Sequence, residues 1–289
     1  MDVSIIIVSW NSRQQIRRCL DSIFNTQQAV SREIFVVDNA STDGTQEIIE
    51  SYGSIITAIY NKKNFGFARA CNQAISQSQG ECIILLNPDT VLTNNSLNAT
   101  VSFFAQHAEA GIMGPHLIFP DGSTQWSVRR FPDLLSHMII LTKLHNFFPN
   151  ISILQHYYCS QFNYTLEAPV DQVMGAFFAF RRSLVNLIGL LDERYFIWYE
   201  EVDYCYRAAS KGWKTFYNPA IQIVHEKAAS FKQRQPYALQ LIMCHSMLHY
   251  FFKNKGVLYY ILLLPFAFLN IILGLLQSVF RIHKVKRNL

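Results

Sequence analysis

Acidic residues are absent from the end of this 289-residue chain: all twenty Asp and Glu lie at or before Glu226. Sixteen Lys and Arg against those twenty acids leave residues 1–226 at a formal −4, and the nine basic residues beyond carry +9. A basic tail on an acidic body points to an anionic partner, membrane or nucleic acid. Charge is scarce overall, at 16%, while half the residues are hydrophobic. That balance excludes a disordered chain. Short paired cysteine spacings are missing too: Cys19, Cys71, Cys82, Cys159, Cys205 and Cys244 are scattered. Their scatter excludes a zinc ribbon, a redox pair and a disulfide scaffold, and suits reduced thiols in a cytosolic compartment. The opening MDVSIIIVSW lacks the basic stretch and small-residue cleavage site of a signal peptide, so it reads as a first strand. The length allows one large domain, or a domain with an appendage, around a sizeable core.

What is present is an alternation of strand and helix patterns. Residues 4–9 (SIIIVS) predict a buried strand, and Ile16, Cys19, Leu20, Ile23 and Phe24 follow at helical spacing. Residues 34–37, 55–60 and 82–86 predict further strands, with helices over 45–52 and 64–77 between them. The pattern over residues 1–110 predicts an α/β fold with a parallel, doubly wound sheet and a ligand crevice at the strands' carboxyl ends. Residues 111–171 have no clear period, so loops and short helices over the crevice are expected there. Beyond them come an apolar run from Val173, a helix entered at Glu200-Glu201, and short strands at 215–217 and 221–224 that deliver His225.

Four positions carry candidate chemistry. Asp38 ends an apolar strand, where a carboxylate either caps a turn or accepts hydrogen bonds from a base or ribose. Asp89, held by Asn87-Pro88, offers one hard oxygen, and Mg2+ or Mn2+ on a diphosphate takes only one or two ligands from protein. Glu200, Glu201 and Asp203 crowd three acids among aromatics, which raises carboxyl pKa values and suits a general base. His225 is a metal ligand, a phosphate partner or a structural histidine. His245 and His249 lack the adjacent Glu of a zinc-protease pattern and read as helix packing residues.

In order, VSIIIVSWNS, VVDNASTDGT, NFGFARACN, LLNPDT, YFIWYEEVDYCYRAASKGW and IVHEKAAS resemble the motifs of family 2 glycosyltransferases, in particular their bacterial rhamnosyltransferase-like branch, over roughly residues 3–256. The resemblance implies a GT-A type, Rossmann-like fold that binds a nucleotide-diphosphate sugar. By the same resemblance Asn11, Asp38, Asn64, Gly66 and Phe67 serve the nucleotide, and Asp89 is the last acid of the metal-binding Asp-x-Asp motif. His225 is the metal-linked histidine, and Glu201 is the catalytic base where the family usually has Asp. Asn87 replaces the first acid of the metal motif, and Glu200 is the alternative base. The expected reaction is inverting transfer of a sugar, rhamnose by the branch, to a membrane-borne glycan or lipid-linked acceptor in cell-surface polysaccharide synthesis, with Mg2+ or Mn2+. The competing expectation is a catalytically silent sugar-nucleotide-binding scaffold.

The expected division is a catalytic domain over residues 1–235, with a nucleotide-binding half at 1–110 and an acceptor half at 111–235, then a membrane-associating helical region at 236–289. Residues 256–280 are uncharged and long enough to span a bilayer. A single span from a cytosolic domain would place Arg281, Lys284, Lys286 and Arg287 outside, against the positive-inside tendency. Pro265 is expected to break the stretch, and Asn270, Gly274, Gln277, Ser278 and Arg281 share one helical face. These features predict an interfacial or re-entrant helix pair on the cytoplasmic face of the membrane, with its basic ends on anionic headgroups. The apolar stretch between the basic clusters excludes nucleic acid as the partner.

Overall fold

The computed structural model describes residues 1–25, 29–226 and 236–287. Strands β1 (Val3–Ser9), β2 (Arg32–Asp38), β3 (Thr57–Tyr60) and β4 (Cys82–Leu86) lie parallel in the order β3-β2-β1-β4. Helices α1 (Arg13–Asn25), α2 (Thr45–Glu50) and α3 (Phe67–Ile75) connect them. Both faces of β1 and β4 are buried, which is why these strands read as unbroken apolar runs. Ile5, Ile7, Ile84 and Leu86 pack with Ile16, Leu20 and Ile23 of α1 on one face. Ile6, Val8, Ile83 and Leu85 meet Ala70, Cys71 and Ala74 of α3 on the other.

The sheet becomes mixed beyond β4. After β5 (Thr90–Leu92) and α4 (Ser96–Gln106), β6 (Ala110–Ile118) enters the sheet interior. The aperiodic region therefore opens with a nine-residue strand rather than a loop. Its Gly111, Gly114 and Pro115 obscure the apolar signal. Gly114 leaves room that Val173 fills, since a Cβ there would lie 2.6 Å from that side chain. Next come β7 (Val128–Arg129), α5 (Leu134–Leu141), α6 (Ser152–Tyr157), β8 (Ala168–Val170) and β9 (Gln172–Val173), of which β7 and β9 pair in a small sheet of their own. β10 (Phe177–Arg181) inserts antiparallel between β4 and β6, so the sheet is not parallel throughout. α7 (Arg182–Ile188), α8 (Glu200–Ser210) and β11 (Lys214–His225) follow. β11 is one continuous bulged strand where two short ones were expected, and it pairs with β6, β8 and β5.

The chain ends in α9 (Pro236–Asn254) and α10 (Val257–Arg287). Gly256, at φ 102°, separates them, and its N–H donates to Phe251 O (3.0 Å), closing α9 in a left-handed cap. α10 passes through Pro265 without breaking. Proline removes one helical hydrogen bond, and the flanking Leu263 and Ala267 are buried in a cluster with Leu141, Cys244, Met247 and Phe251 that holds the helix in place. The polar stripe of α10 faces the body of the protein instead of lying on a headgroup surface. Asn270 is buried and donates to Leu141 O (2.7 Å), Gln277 accepts from Lys143 Nζ (2.8 Å), and Gly274 makes room for Gln240. The outward face is apolar, with Leu258, Ile261, Phe268 and Leu276 exposed. Residues Val257–Ser278 are long and apolar enough to cross a membrane, and of them only Leu263, Ala267, Asn270 and Gly274 are buried. The side chain expected at Arg281 and residues 227–230 of the last motif lie outside the description.

Candidate active site

The carboxyl ends of β1, β2 and β4 deliver the loops around the first cavity. Asp38, fully buried, accepts from Ser9 Oγ (3.1 Å), Ser41 N (2.9 Å), Ser41 Oγ and Gln46 Nε2 (2.7 Å). Asn11, in the left-handed region at φ 47°, donates its N–H to Ser41 Oγ (2.8 Å) and accepts from Thr42 N (2.8 Å). These two residues brace the 38–46 loop from behind the cavity, while Ser9, Trp10, Asn39, Asn64, Gly66 and Phe67 line it with Asp89. Asn64 Oδ1 accepts from Gly66 N (2.9 Å), and Asn39 Nδ2 donates to Gly66 O (3.1 Å). Gly66 has φ 89°, and a Cβ there would lie 2.4 Å from Phe196 O. That carbonyl also accepts from Phe67 N (2.6 Å), so this glycine is the point where the donor loop touches the segment leading to α8.

Antiparallel pairing of β5 with β11 sets Thr90 opposite His225 and brings His225 Nε2 to 3.3 Å from Asp89 Oδ1. His225 Nδ1 lies 2.6 Å from Gln125 Oε1. With Nδ1–H donating to that amide oxygen, Nε2 is left turned toward the Asp89 carboxylate. An imidazole whose second nitrogen is held by another side chain is the usual form of a metal-ligating histidine. One carboxylate oxygen and one imidazole nitrogen therefore fit a divalent ion that takes its remaining ligands from phosphate and water. Among the described residues no cluster of three His, Cys, Asp or Glu accompanies them.

The acidic pair starts α8. Trp198 (φ 67°) and Tyr199 (φ 71°) are both left-handed, a conformation that costs on the order of 1–3 kcal/mol per residue. Three contacts hold them: Ser246 Oγ to Ile197 O (3.0 Å), Asp203 N to Tyr199 O (2.8 Å), and Tyr199 OH to His137 Nε2 (3.0 Å). Burial lowers the His137 pKa to about 4, so the ring is neutral; its Nδ1–H meets Asp133 O (2.9 Å) and Nε2 accepts the phenol. The turn aims Glu200 and Glu201 inward, each with an Oε2 that is buried and without a hydrogen-bond partner. Burial, and then the neighbouring Glu201 charge, raises the Glu200 pKa well above the ordinary carboxyl value. Burial also raises that of Glu201, against which Arg129 acts. Asp203, the third acid of the cluster, is separated from this pair. It is fully buried and taken up by Arg207 (2.8 Å), Lys253 (2.9 Å) and Asn254 (2.9 Å).

Three cavities run into one another. The first shares Phe67, Asn87, Asp89 and Ile197 with a second, which also contains Glu200, Glu201 and His225. The second shares Arg129, Met174, Trp198 and Glu201 with a third, walled by α5, α8 and α9. Of the acidic pair, only Glu201 faces both the second and the third. Arg129, Gln125 and Phe196 escaped the sequence reading. The first two lie in the aperiodic region, and Phe196 acts through its backbone carbonyl, for which no side-chain signal exists.

The glycosyl transferase family 2 model matches residues 4–188. An N-acetylglucosaminyl-diphospho-decaprenol L-rhamnosyltransferase of Mycobacterium tuberculosis is 30% identical over 242 residues, 78% of this chain and 76% of that protein. A putative teichuronic acid biosynthesis glycosyltransferase of Bacillus subtilis is 30% identical over 139 residues, 47% of this chain and 55% of that one. Among solved structures, a mannosyltransferase from Pyrobaculum calidifontis in complex with GDP-Man and Mn2+ superposes with a TM-score of 0.59 at 18% identity, covering 96% of this chain and 74% of its own. S. aureus TarS in complex with UDP-GlcNAc superposes at 0.56 and 15% identity, covering 89% and 68%. The fold is thus of the GT-A type, and the chain belongs to glycosyl transferase family 2: it is a glycosyltransferase.

Proposed function

We propose that this enzyme moves a sugar, rhamnose in the first instance, from a nucleoside-diphosphate donor to a lipid-linked glycan acceptor in cell-surface polysaccharide synthesis, with inversion at the anomeric carbon. The observation that carries the reading is the continuous path from the Asp89–His225 pair to the partnerless buried oxygen of Glu201. The rhamnosyltransferase relative motivates the choice of sugar and of a lipid-linked acceptor.

Asn64, Gly66 and Phe67 line the nucleotide, with Asp38 and Asn11 shaping the loop that meets the base and ribose. Asp89 and His225 would hold a Mg2+ or Mn2+ ion, which supplies positive charge beside the leaving diphosphate. Asn87, in place of a second acid, leaves the site one negative charge fewer. Glu201 takes the proton from the acceptor hydroxyl as its oxygen bonds to the anomeric carbon and the bond to the diphosphate breaks on the opposite face. Arg129 favours the ionised form of Glu201, while burial and then the Glu201 charge raise the pKa of the adjacent Glu200. The apolar outer face of α10 sets the site against the cytoplasmic face of the membrane.

Glu201→Gln is expected to slow transfer by about 10²–10⁴ while sugar-nucleotide binding persists. Nucleoside diphosphate release from a panel of donors with Mg2+ or Mn2+ measures the first, and calorimetry the second. A variant as active as the wild type overturns the assignment of the base. Release from no donor favours the silent scaffold.

A further inference from the structure

The third cavity holds groups that the donor does not use. Its walls are apolar: Ile140 and Leu141 come from α5, Val202 from α8, and Met243 and Met247 from α9. Its polar groups include the Arg129 guanidinium, at the junction with the Glu201 cavity, and Ser127, whose Oγ is buried and partnerless on a side chain only 5% exposed. A guanidinium and an idle hydroxyl on one two-strand ribbon are the donors that a phosphate oxygen needs. Both line a cavity with the proposed base, and Arg129 also lines the one that Glu201 shares with Asp89.

The surroundings say what the rest of the ligand is. α10 packs against both α5 and α9, through Asn270 on Leu141 O and Cys244 on Ala267 O (3.9 Å). The helices that wall the cavity therefore also carry the exposed apolar face of α10. Around α5 the surface is apolar as well: Leu135, Leu144, Phe147 and Phe148 are exposed, Phe147 by 76%. Exposed apolar area this continuous marks a membrane or partner contact. A soluble glycan acceptor would leave the Ile, Leu and Met wall unused.

Resting on the sugar-transfer reading above, we propose that this third cavity is the acceptor-lipid site. Arg129 and Ser127 bind the phosphate of a polyisoprenyl phosphate or diphosphate carrier, and its first isoprene units lie on Ile140, Met243 and Met247. The carried sugar then presents its hydroxyl to Glu201. The carrier enters from the membrane-facing side formed by α5 and α10, so donor and acceptor reach the base from opposite ends of one channel.

The test is direct binding to the full-length protein in detergent micelles, using farnesyl diphosphate with a photoactivatable group in its tail. The expected result is saturable labelling on α5 and α9, unaffected by excess nucleoside diphosphate. Arg129→Ala should weaken binding about 10- to 100-fold. Arg129→Lys should retain part of it, and Met243→Trp should block it while the thermal melt stays near that of the wild type. Displacement by nucleoside diphosphate would place the probe in the donor cavity and overturn the proposal. Equal displacement by dioleoyl phosphatidylglycerol, labelling elsewhere, or wild-type affinity in both Arg129→Ala and Met243→Trp would also overturn it. Binding is read without turnover, so a failure of sugar transfer is seen separately.

Discussion

The wall of the active site formed by β1, β2 and β4 and the opposite wall formed by residues 192–203 with α9 hold their functional groups by different means. In the first, the strands have apolar centres and the loops at their ends are tied largely by near neighbours, with Ser9 and Asn11 of the adjoining strand end as braces: Asp38 binds Ser41 and Gln46, and Asn64 binds Gly66. In the second, order comes from residues far apart in the chain. Burial alone would raise the Asp192 pKa, but hydrogen bonds from Arg194, Lys253 and His249 together hold it well below the usual carboxylate range. Lys253 bridges Asp192 (2.8 Å) and Asp203 (2.9 Å), so α9 is tied at two points to the strained turn that aims Glu201. A self-capped loop tolerates change elsewhere in the molecule, whereas a wall held by distant partners answers to each of them.

Substitution at the seam should have the largest effect. Gly66→Ala forces a Cβ against Phe196 O and strains a backbone that only glycine adopts freely, so a loss of roughly 4 kcal/mol or more is expected. Denaturant melts would register it, and donor binding should fail together with transfer. Melts within 1 kcal/mol of wild type would mean that the two walls do not depend on each other at this point. Lys253→Met should cost less, roughly 2–3 kcal/mol, because Asp203 keeps Arg207 and Asn254. Its signature is selective: transfer falls while nucleotide affinity, which the proposed function assigns to the first wall, is retained. Loss of nucleotide affinity would erase the contrast.

The smallest effect is a change of slope. Burial and the Glu201 charge raise the Glu200 pKa, so Glu200 contributes stability below the ordinary value of 4.5 that is lost as pH rises through its folded-state pKa. Glu200→Gln removes that loss. Melting temperatures from pH 5 to about 8 should show the variant gaining on the wild type as pH rises. Parallel curves would mean that Glu200 is not desolvated. With Glu201 as the proposed base, its raised pKa should put the acid limb of a measured pH–rate profile above the ordinary 4.5, with activity falling as pH drops.

Much of the first wall was legible from sequence. β1, β2 and β4, their order of appearance, and the loops bearing Asp38, Asn64 and Asp89 follow from apolar runs bounded by turn residues. The pairing of Asp89 with His225 was not, because 136 positions separate them and only the antiparallel β5–β11 register brings them together. Arg129 and Gln125 were hidden for a related reason: β6 and β7 are interrupted by glycine, proline and polar residues, so the segment shows no period. Asp203 looked equal to its neighbours Glu200 and Glu201 in sequence. Asp203 lies about 200° around α8 from Glu201 and a turn further along the helix than Glu200, which takes it to Arg207 and Lys253 while the pair line the cavities.

The charge split along the chain was settled by sequence alone, as were the alternating α/β pattern and the apolar stretch after residue 256, since composition and local periodicity need no partner to be read. The tertiary structure decided which way α10 turns. Its buried Asn270 satisfies Leu141 O on α5, where an unpaired buried polar atom would be costly, Gln277 meets Lys143 at the surface, and the apolar face is left outward as a consequence. It also decided which acids face the cavities. Local pattern places a residue on an element, but only the packing of elements fixes which distant groups share a cavity and which are drawn into ion pairs.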